Sequence, residues 1–183
     1  ILLNAIVGAD ADDAITTSAK TEKDYTSSLQ KDGLKGARIG VARQFFGKNG
    51  RLDALLEAQL KVLKDNGAVL VDVIFPTLDK FGDAEYEVLL YEFKADLNKY
   101  LGARGGPNKS LADLIKFNEA NKEKEMPYFG QDIFIKADGK NDLDDREYRL
   151  ALLQSKVLTQ EQGIDAVIKK DSLDAIVAPS NSP

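Results

Sequence analysis

The chain has 183 residues with 43% hydrophobic and 30% charged positions, the make-up of a globular protein able to bury a sizeable core. Lys and Arg number 25 against 30 Asp and Glu, a formal charge of −5 that repels phosphate backbones and argues against a nucleic-acid binder. It has neither Cys nor His, which excludes disulfides, thiolate nucleophiles, zinc–thiolate sites, imidazole ligands and every His-dependent catalytic triad.

In chain order, Ile1–Gly8 carries apolar residues at helical spacing and stops at a glycine suited to a left-handed helix end. This reads as the last turns of a helix whose start is missing, so the chain is expected to be a portion of a longer protein. No basic leader with a cleavage site precedes it, and no apolar run approaches the ~20 residues that span a bilayer. The expected setting is therefore cytoplasmic, without membrane association.

Residues 37–42 form a short β-branched apolar run after a glycine-containing loop and read as a strand. Leu52, Leu55, Leu56, Leu60 and Leu63 share one stripe of a helix closed by Gly67, and residues 68–74 read as a second strand. Strand, helix and strand at this spacing make a βαβ unit, with parallel strands and a right-handed crossover. A helix over 84–101 places Tyr86, Leu89, Leu90, Phe93, Leu97, Tyr100 and Leu101 on one face, ended by Gly102 and Gly105-Gly106-Pro107. Ser110 is the expected N-cap of a helix over 111–121 with Leu114 and Ile115 inward. A further helix spans 145–162, with Tyr148, Leu152 and Val157 or Leu158 inward; residues 130–137 are ambiguous. Residues 173–178 read as a third strand before Pro179-Ser180. The expected fold class is α/β: a small, mainly parallel sheet of about three strands flanked by helices, 1–183 forming one unit. Helices suffice for one face of the sheet and part of the other, so a bare edge or face is expected.

Several stretches could carry chemistry. Ser28-Leu29-Gln30-Lys31 matches a Ser-x-x-Lys pattern, in which a lysine one helical turn away activates the serine, but its companion motifs are absent. Gly33, Gly36 and Gly40 precede and enter a strand instead of following one, which makes them turn glycines and no phosphate cradle. The acidic runs Asp10–Asp13 and Asp142–Asp145 read as a solvated loop and a helix start; no metal site is assigned. Glu92 and Asn98, in the stretch 91–98, face either a substrate cleft or water.

Read together, five stretches in order resemble the amidase signature family downstream of its catalytic motif. They are residues 2–16 (Leu-Leu-Asn-Ala-Ile-Val-Gly-Ala-Asp onward), Gly33–Arg43, Tyr91–Leu101, Ser110–Asn118 and Leu173–Pro179. The resemblance implies a hydrolase of carboxylic amides that uses a Ser–cis-Ser–Lys triad. In that chemistry the lysine acts as base through the bridging serine, and backbone N–H groups of a Gly-Ser-rich loop hold the oxyanion. The family's Gly-Gly-Ser-Ser-Gly-Gly-Ser loop is absent here, since Gly105-Gly106 leads into Pro107, so no catalytic residue is carried over and no cofactor is implied.

What the stretch is expected to supply is scaffold and cleft wall. Loops at the carboxyl ends of parallel strands line ligand sites, which makes Pro179 and Ser180 the best-placed substrate neighbours; related amidases usually have Pro-Thr there. Glu92 and Gln131 follow from their place in the resembling stretches. The implied partners are the missing N-terminal part of the protein and a small amide, and the fragment is expected to be inactive alone. Exposed sheet edges point to self-association. A stand-alone amidase ranks above an amidotransferase component that works on charged tRNA. The rival reading is a self-standing α/β module that binds a small molecule or a partner without catalysis.

Overall fold

A computed structural model describes residues 1–180 of the chain. The chain packs as two compact units, one made of Ile1–Asp72 with the segment from Leu173 onward, the other of Val73–Ser172.

The first unit holds the sheet. Strands β1 (Arg38–Ala42), β2 (Val69–Val73) and β3 (Ala175–Val177) lie in the order β2-β1-β3. β3 runs parallel to β1 with Ile39, Gly40 and Val41 opposite Ala175, Ile176 and Val177. β2 is parallel too, its start hydrogen-bonded to the start of β1 through Val69 N–H to Ala37 O at 2.8 Å. As the central strand, β1 is the most buried, with Val41 and Ala42 wholly inaccessible. A reciprocal clamp opens the β1–β3 ladder: Asp174 N–H donates to Arg38 O at 2.9 Å, and Arg38 N–H to Asp174 Oδ2 at 2.8 Å. β2 and β3 are the outer strands of this sheet; on β2 Val69 is 45% exposed, and Ile74 just beyond the strand is 71% exposed.

Two helices belong to this unit. α1 is the short Leu2–Ile6, and it ends on an extended Val7, so Gly8 is not the left-handed cap expected of it. Asn4 explains how the segment is held: its amide donates to Asp24 and accepts from Tyr25 N–H. α2 (Gly50–Asp65) starts two residues before the apolar stripe, because Asn49 caps it by accepting from Arg51 and Leu52 N–H. Gly67 then turns the chain into β2 at φ 94°, and a Cβ there would lie 3.1 Å from the Lys35 backbone, so only glycine fits.

The second unit is helical: α3 (Gly82–Arg104), α4 (Leu111–Ala120), α5 (Lys122–Glu125), α6 (Asp132–Asp138), α7 (Arg146–Lys156) and α8 (Asp165–Asp171), with a π-helical stretch Val157–Ile164 joining the last two. α3 runs through Gly102 and stops at Gly105, in the left-handed conformation. Ser110 caps α4 as expected, its hydroxyl accepting from Asp113 N–H at 3.2 Å. The core residue of α4 is Leu111, which is fully buried, whereas Leu114 is only half-buried. With Leu90 and Ala137, Leu111 centres a cluster walled by Tyr86, Phe93, Leu97, Ile115 and Phe134.

The helical path expected over 145–162 runs from Arg146 to a kink at Gly163, beyond which a second helical run reaches Asp171. At the kink Gly163 departs from helical geometry (φ −97°, ψ −107°). Leu158 O, freed from the regular ladder, accepts from the buried Thr77 hydroxyl at 2.7 Å.

Candidate functional site

At the sheet's carboxyl edge, β1 delivers Arg43 and β3 delivers Pro179 and Ser180, since the parallel register places Val41 beside Val177. Pro179 is half-buried and Ser180 exposed. Arg43 Nε donates to Asp72 Oδ1 of β2 at 3.0 Å, Nη1 pairs with Glu57 of α2, and the guanidinium lies 5.1 Å from the Phe46 ring centre. Burial works against this charge, and the two carboxylates outweigh it, raising the Arg43 pKa. Two carboxylates offset the charge of Arg43, which braces the strand end, and the exposed Ser180 carries the side-chain hydroxyl of the Pro179-Ser180 turn.

In the helical unit, Glu92 lies on α3 and accepts from the Tyr148 hydroxyl of α7 at 2.8 Å. That carboxylate and burial hold the Tyr148 phenol above its ordinary pKa. Beside it, the Tyr91 ring sits 5.6 Å from that of Tyr148 and is 1% exposed. Its hydroxyl faces Glu147 Oε2 at 2.8 Å and Asp145 Oδ2 at 3.1 Å. One phenolic proton serves two carboxylates, so burial first and these acceptors second push the Tyr91 pKa well above its ordinary 10.0. Lys140 closes the cluster: it pairs with Glu87, lies 3.6 Å from Glu147 and stands over the Tyr91 ring. Asn141 donates to Asp145 at 2.6 Å and, as the largest cause, holds that carboxyl below its usual range. Chemically this cluster is a saturated set of charges and phenols that pins α7 to α3.

Gln131 precedes α6 and is tied at both ends of its amide. Asn118 Nδ2 donates to its Oε1 at 3.2 Å, and its Nε2 donates to Ile115 O at 3.1 Å. Its amide retains one further N–H and one lone pair for a ligand. Glu92 and Gln131 thus share the helical unit but are anchored on different helices, while Pro179 and Ser180 adjoin each other in the sheet unit. Asn98 accepts from Leu111 N–H at 2.7 Å and secures the start of α4. Ser28 ends a single 3₁₀ turn followed by the extended Leu29, so Lys31 is not one helical turn from it and the Ser-x-x-Lys arrangement does not form. The acidic Asp145 works as the N-cap of α7, accepting from Glu147 N–H. Among the described residues, no helix is long and apolar enough to cross a membrane.

The parallel sheet, its carboxyl-edge turn and the helical unit can be set beside known proteins. The family model described as Amidase matches residues 1–183. The chain belongs to this amidase family. A probable amidase of Arabidopsis thaliana is 34% identical over 186 residues, covering 96% of this chain and 35% of that protein. A glutamyl-tRNA(Gln) amidotransferase component of Caldanaerobacter subterraneus is 40% identical over 119 residues, covering 63% of this chain and 24% of that protein. Among solved structures, the native peptide amidase of Stenotrophomonas maltophilia superposes with a TM-score of 0.84 at 37% identity, covering 99% of this chain and 38% of that chain. The chain therefore spans little more than a third of the length of the amidases it matches, and its fold is the corresponding part of the amidase fold.

Proposed function

We propose that this chain is the scaffold and cleft-wall portion of a longer amidase that hydrolyses carboxylic amide C–N bonds through a Ser–cis-Ser–Lys mechanism, and that it is inactive on its own. The observation that carries this reading is the family match running from the first residue to the last, within relatives about three times as long. Pro179 and Ser180 are proposed as substrate neighbours at the sheet's carboxyl edge, where α/β sites form. Glu92 and Gln131 are proposed as polar contacts from the helical unit.

Peptide amides are the first substrates to assay, because a solved relative covering 99% of this chain is named a peptide amidase. The tRNA-dependent amidotransferase relative matches a smaller share of the chain, 63%, which places an amidotransferase role second. Partners in this reading are the rest of the protein and, for the isolated stretch, a second copy pairing at the open β2 edge. A cytoplasmic location completes it, and fractionation of cells making the whole protein checks that part.

The test is ammonia release from a panel of peptide amides by the whole protein and by residues 1–183 alone. Turnover by the whole protein only is expected, with a Gly-Ser-rich loop encoded upstream of Ile1. Comparable turnover by the isolated stretch, or an inactive whole protein across the panel, overturns the proposal.

A further inference from the structure

Between α4, α5 and α6 the helical unit holds an open cavity of about 400 Å³. Its apolar lining is Met126, Phe129, Ile133 and Phe134. The floor is fixed, because Phe134 stacks on Phe93 of the core cluster at 5.3 Å and Gln131 is tied to Asn118 and Ile115. The wall is open: Phe129 is 85% exposed, its neighbour Tyr128 is 89% exposed and Ile133 is 47% exposed. Phe129 thus stands open over a cavity large enough for one ring, with the exposed Tyr128 beside it in sequence.

The polar lining sets the charge of the occupant. Glu125 and Asp132 border the cavity, and among the described residues none of its lining side chains is basic. Lys136, one turn beyond Asp132, is drawn away over the Tyr86 ring, 5.7 Å from its centre. An apolar hollow with two uncompensated carboxylates at the rim favours a ligand that is apolar in the middle and cationic at one end.

We infer that this cavity takes the apolar or aromatic side chain of a positively charged amino-acid or peptide amide, the substrate of the activity proposed above, on which this inference rests. Phe129 and Ile133 grip the side chain, Glu125 and Asp132 attract its ammonium, and the remaining N–H of Gln131 meets a carbonyl. Rival occupants, a second copy of the chain or the remainder of the longer protein, would bury Phe129 whether or not a small amide is present.

The test uses the whole protein carrying this chain, with phenylalaninamide, its N-acetyl derivative and glycinamide as probes, read by ammonia release and by calorimetric binding. Phe129→Ala should lower the ratio of kcat/KM for phenylalaninamide over glycinamide about tenfold, the scale of a lost apolar pocket contact. Asp132→Asn should shrink the preference for phenylalaninamide over its N-acetyl form a few-fold, more at low salt than at high. Ile133→Val serves as a milder variant with a smaller change in the same direction, and an unchanged melting temperature shows that each variant is folded. Equal losses for both amides, no change in the ratio, or Phe129 already buried in the unliganded whole protein overturn the inference. If the protein hydrolyses none of the amides, binding decides separately. Phenylalaninamide binding that is lost with Phe129→Ala sustains the cavity while the reaction reading fails. Hydrolysis indifferent to Phe129 sinks the cavity and leaves the reaction.

Discussion

Gly163→Ala is the substitution whose cost can be worked most directly from the geometry. A Cβ at Gly163 would lie 2.7 Å from Leu158 O, closer than real Cβ atoms approach a backbone oxygen, and 3.5 Å from Thr77 Oγ1. Forcing the methyl into that space costs roughly 1–3 kcal/mol. Relieving the clash moves Leu158 O away from Thr77, a residue only 5% exposed, and an orphaned buried hydroxyl costs roughly 1–3 kcal/mol. The expected destabilisation is therefore about 2–6 kcal/mol. Urea unfolding followed by circular dichroism reads it as a lower midpoint at constant slope. The companion Thr77→Val removes the same hydrogen bond without the clash, so the double variant should lose less than the two singles together, by about 1 kcal/mol or more. A Gly163→Ala protein within about 0.5 kcal/mol of the parent, or strict additivity with Thr77→Val, would refute the view that this glycine and threonine jointly build the π-helical junction.

Two further outcomes follow from the helical unit. Leu111→Ala, at a wholly buried position between Leu90 and Ala137, should cost about 2–5 kcal/mol in the same urea assay, and a loss no larger than that of a surface substitution would count against the assigned core. Tyr91 keeps its phenolic proton over a pH range where the unfolded chain has released it, so stability is present below its ordinary pKa of 10.0 and falls as pH climbs past it; the flanking Lys140 and Tyr148, also raised, act in the same direction. Urea midpoints measured from about pH 8 to about pH 11 should decline less steeply for Tyr91→Phe than for the parent, and identical slopes would show that this phenol does not govern the alkaline limb.

The sheet was the most legible part of the molecule. Each strand is a short β-branched run bounded by turn residues, and Gly67 and Ser110 occupy positions that local chemistry alone demands. α3 shows where periodicity fails. Leu89 and Tyr100 belong to its apparent stripe yet are 50% and 59% exposed, whereas Tyr91 lies outside the stripe and is buried. A helix packed by α4 and α6 on one side and α7 on another has two inner faces, and a single stripe cannot describe both. The polar cluster around Tyr91 was hidden for a related reason. Glu87, Lys140, Asp145 and Glu147 look in sequence like ordinary solvated charges, and only the α3–α7 packing reveals that they converge on one phenol. Residues 130–137 read ambiguously because α6 is short and its buried contribution to the core is the small Ala137.

The groups proposed to meet a substrate from the helical unit share one physical property: each already spends part of its hydrogen-bonding capacity on the scaffold. Glu92 gives one oxygen to Tyr148, and Gln131 uses half of its amide on Asn118 and Ile115. A side chain held this way has lost its rotamer freedom before any ligand arrives, so the ordering cost of about 0.5–1.5 kcal/mol per side chain falls on folding and not on binding. Removing Tyr148 or Asn118 would leave the proposed contact chemically intact but free to rotate, weakening binding through entropy, whereas Arg43, its charge already offset by Glu57 and Asp72, braces the strand end.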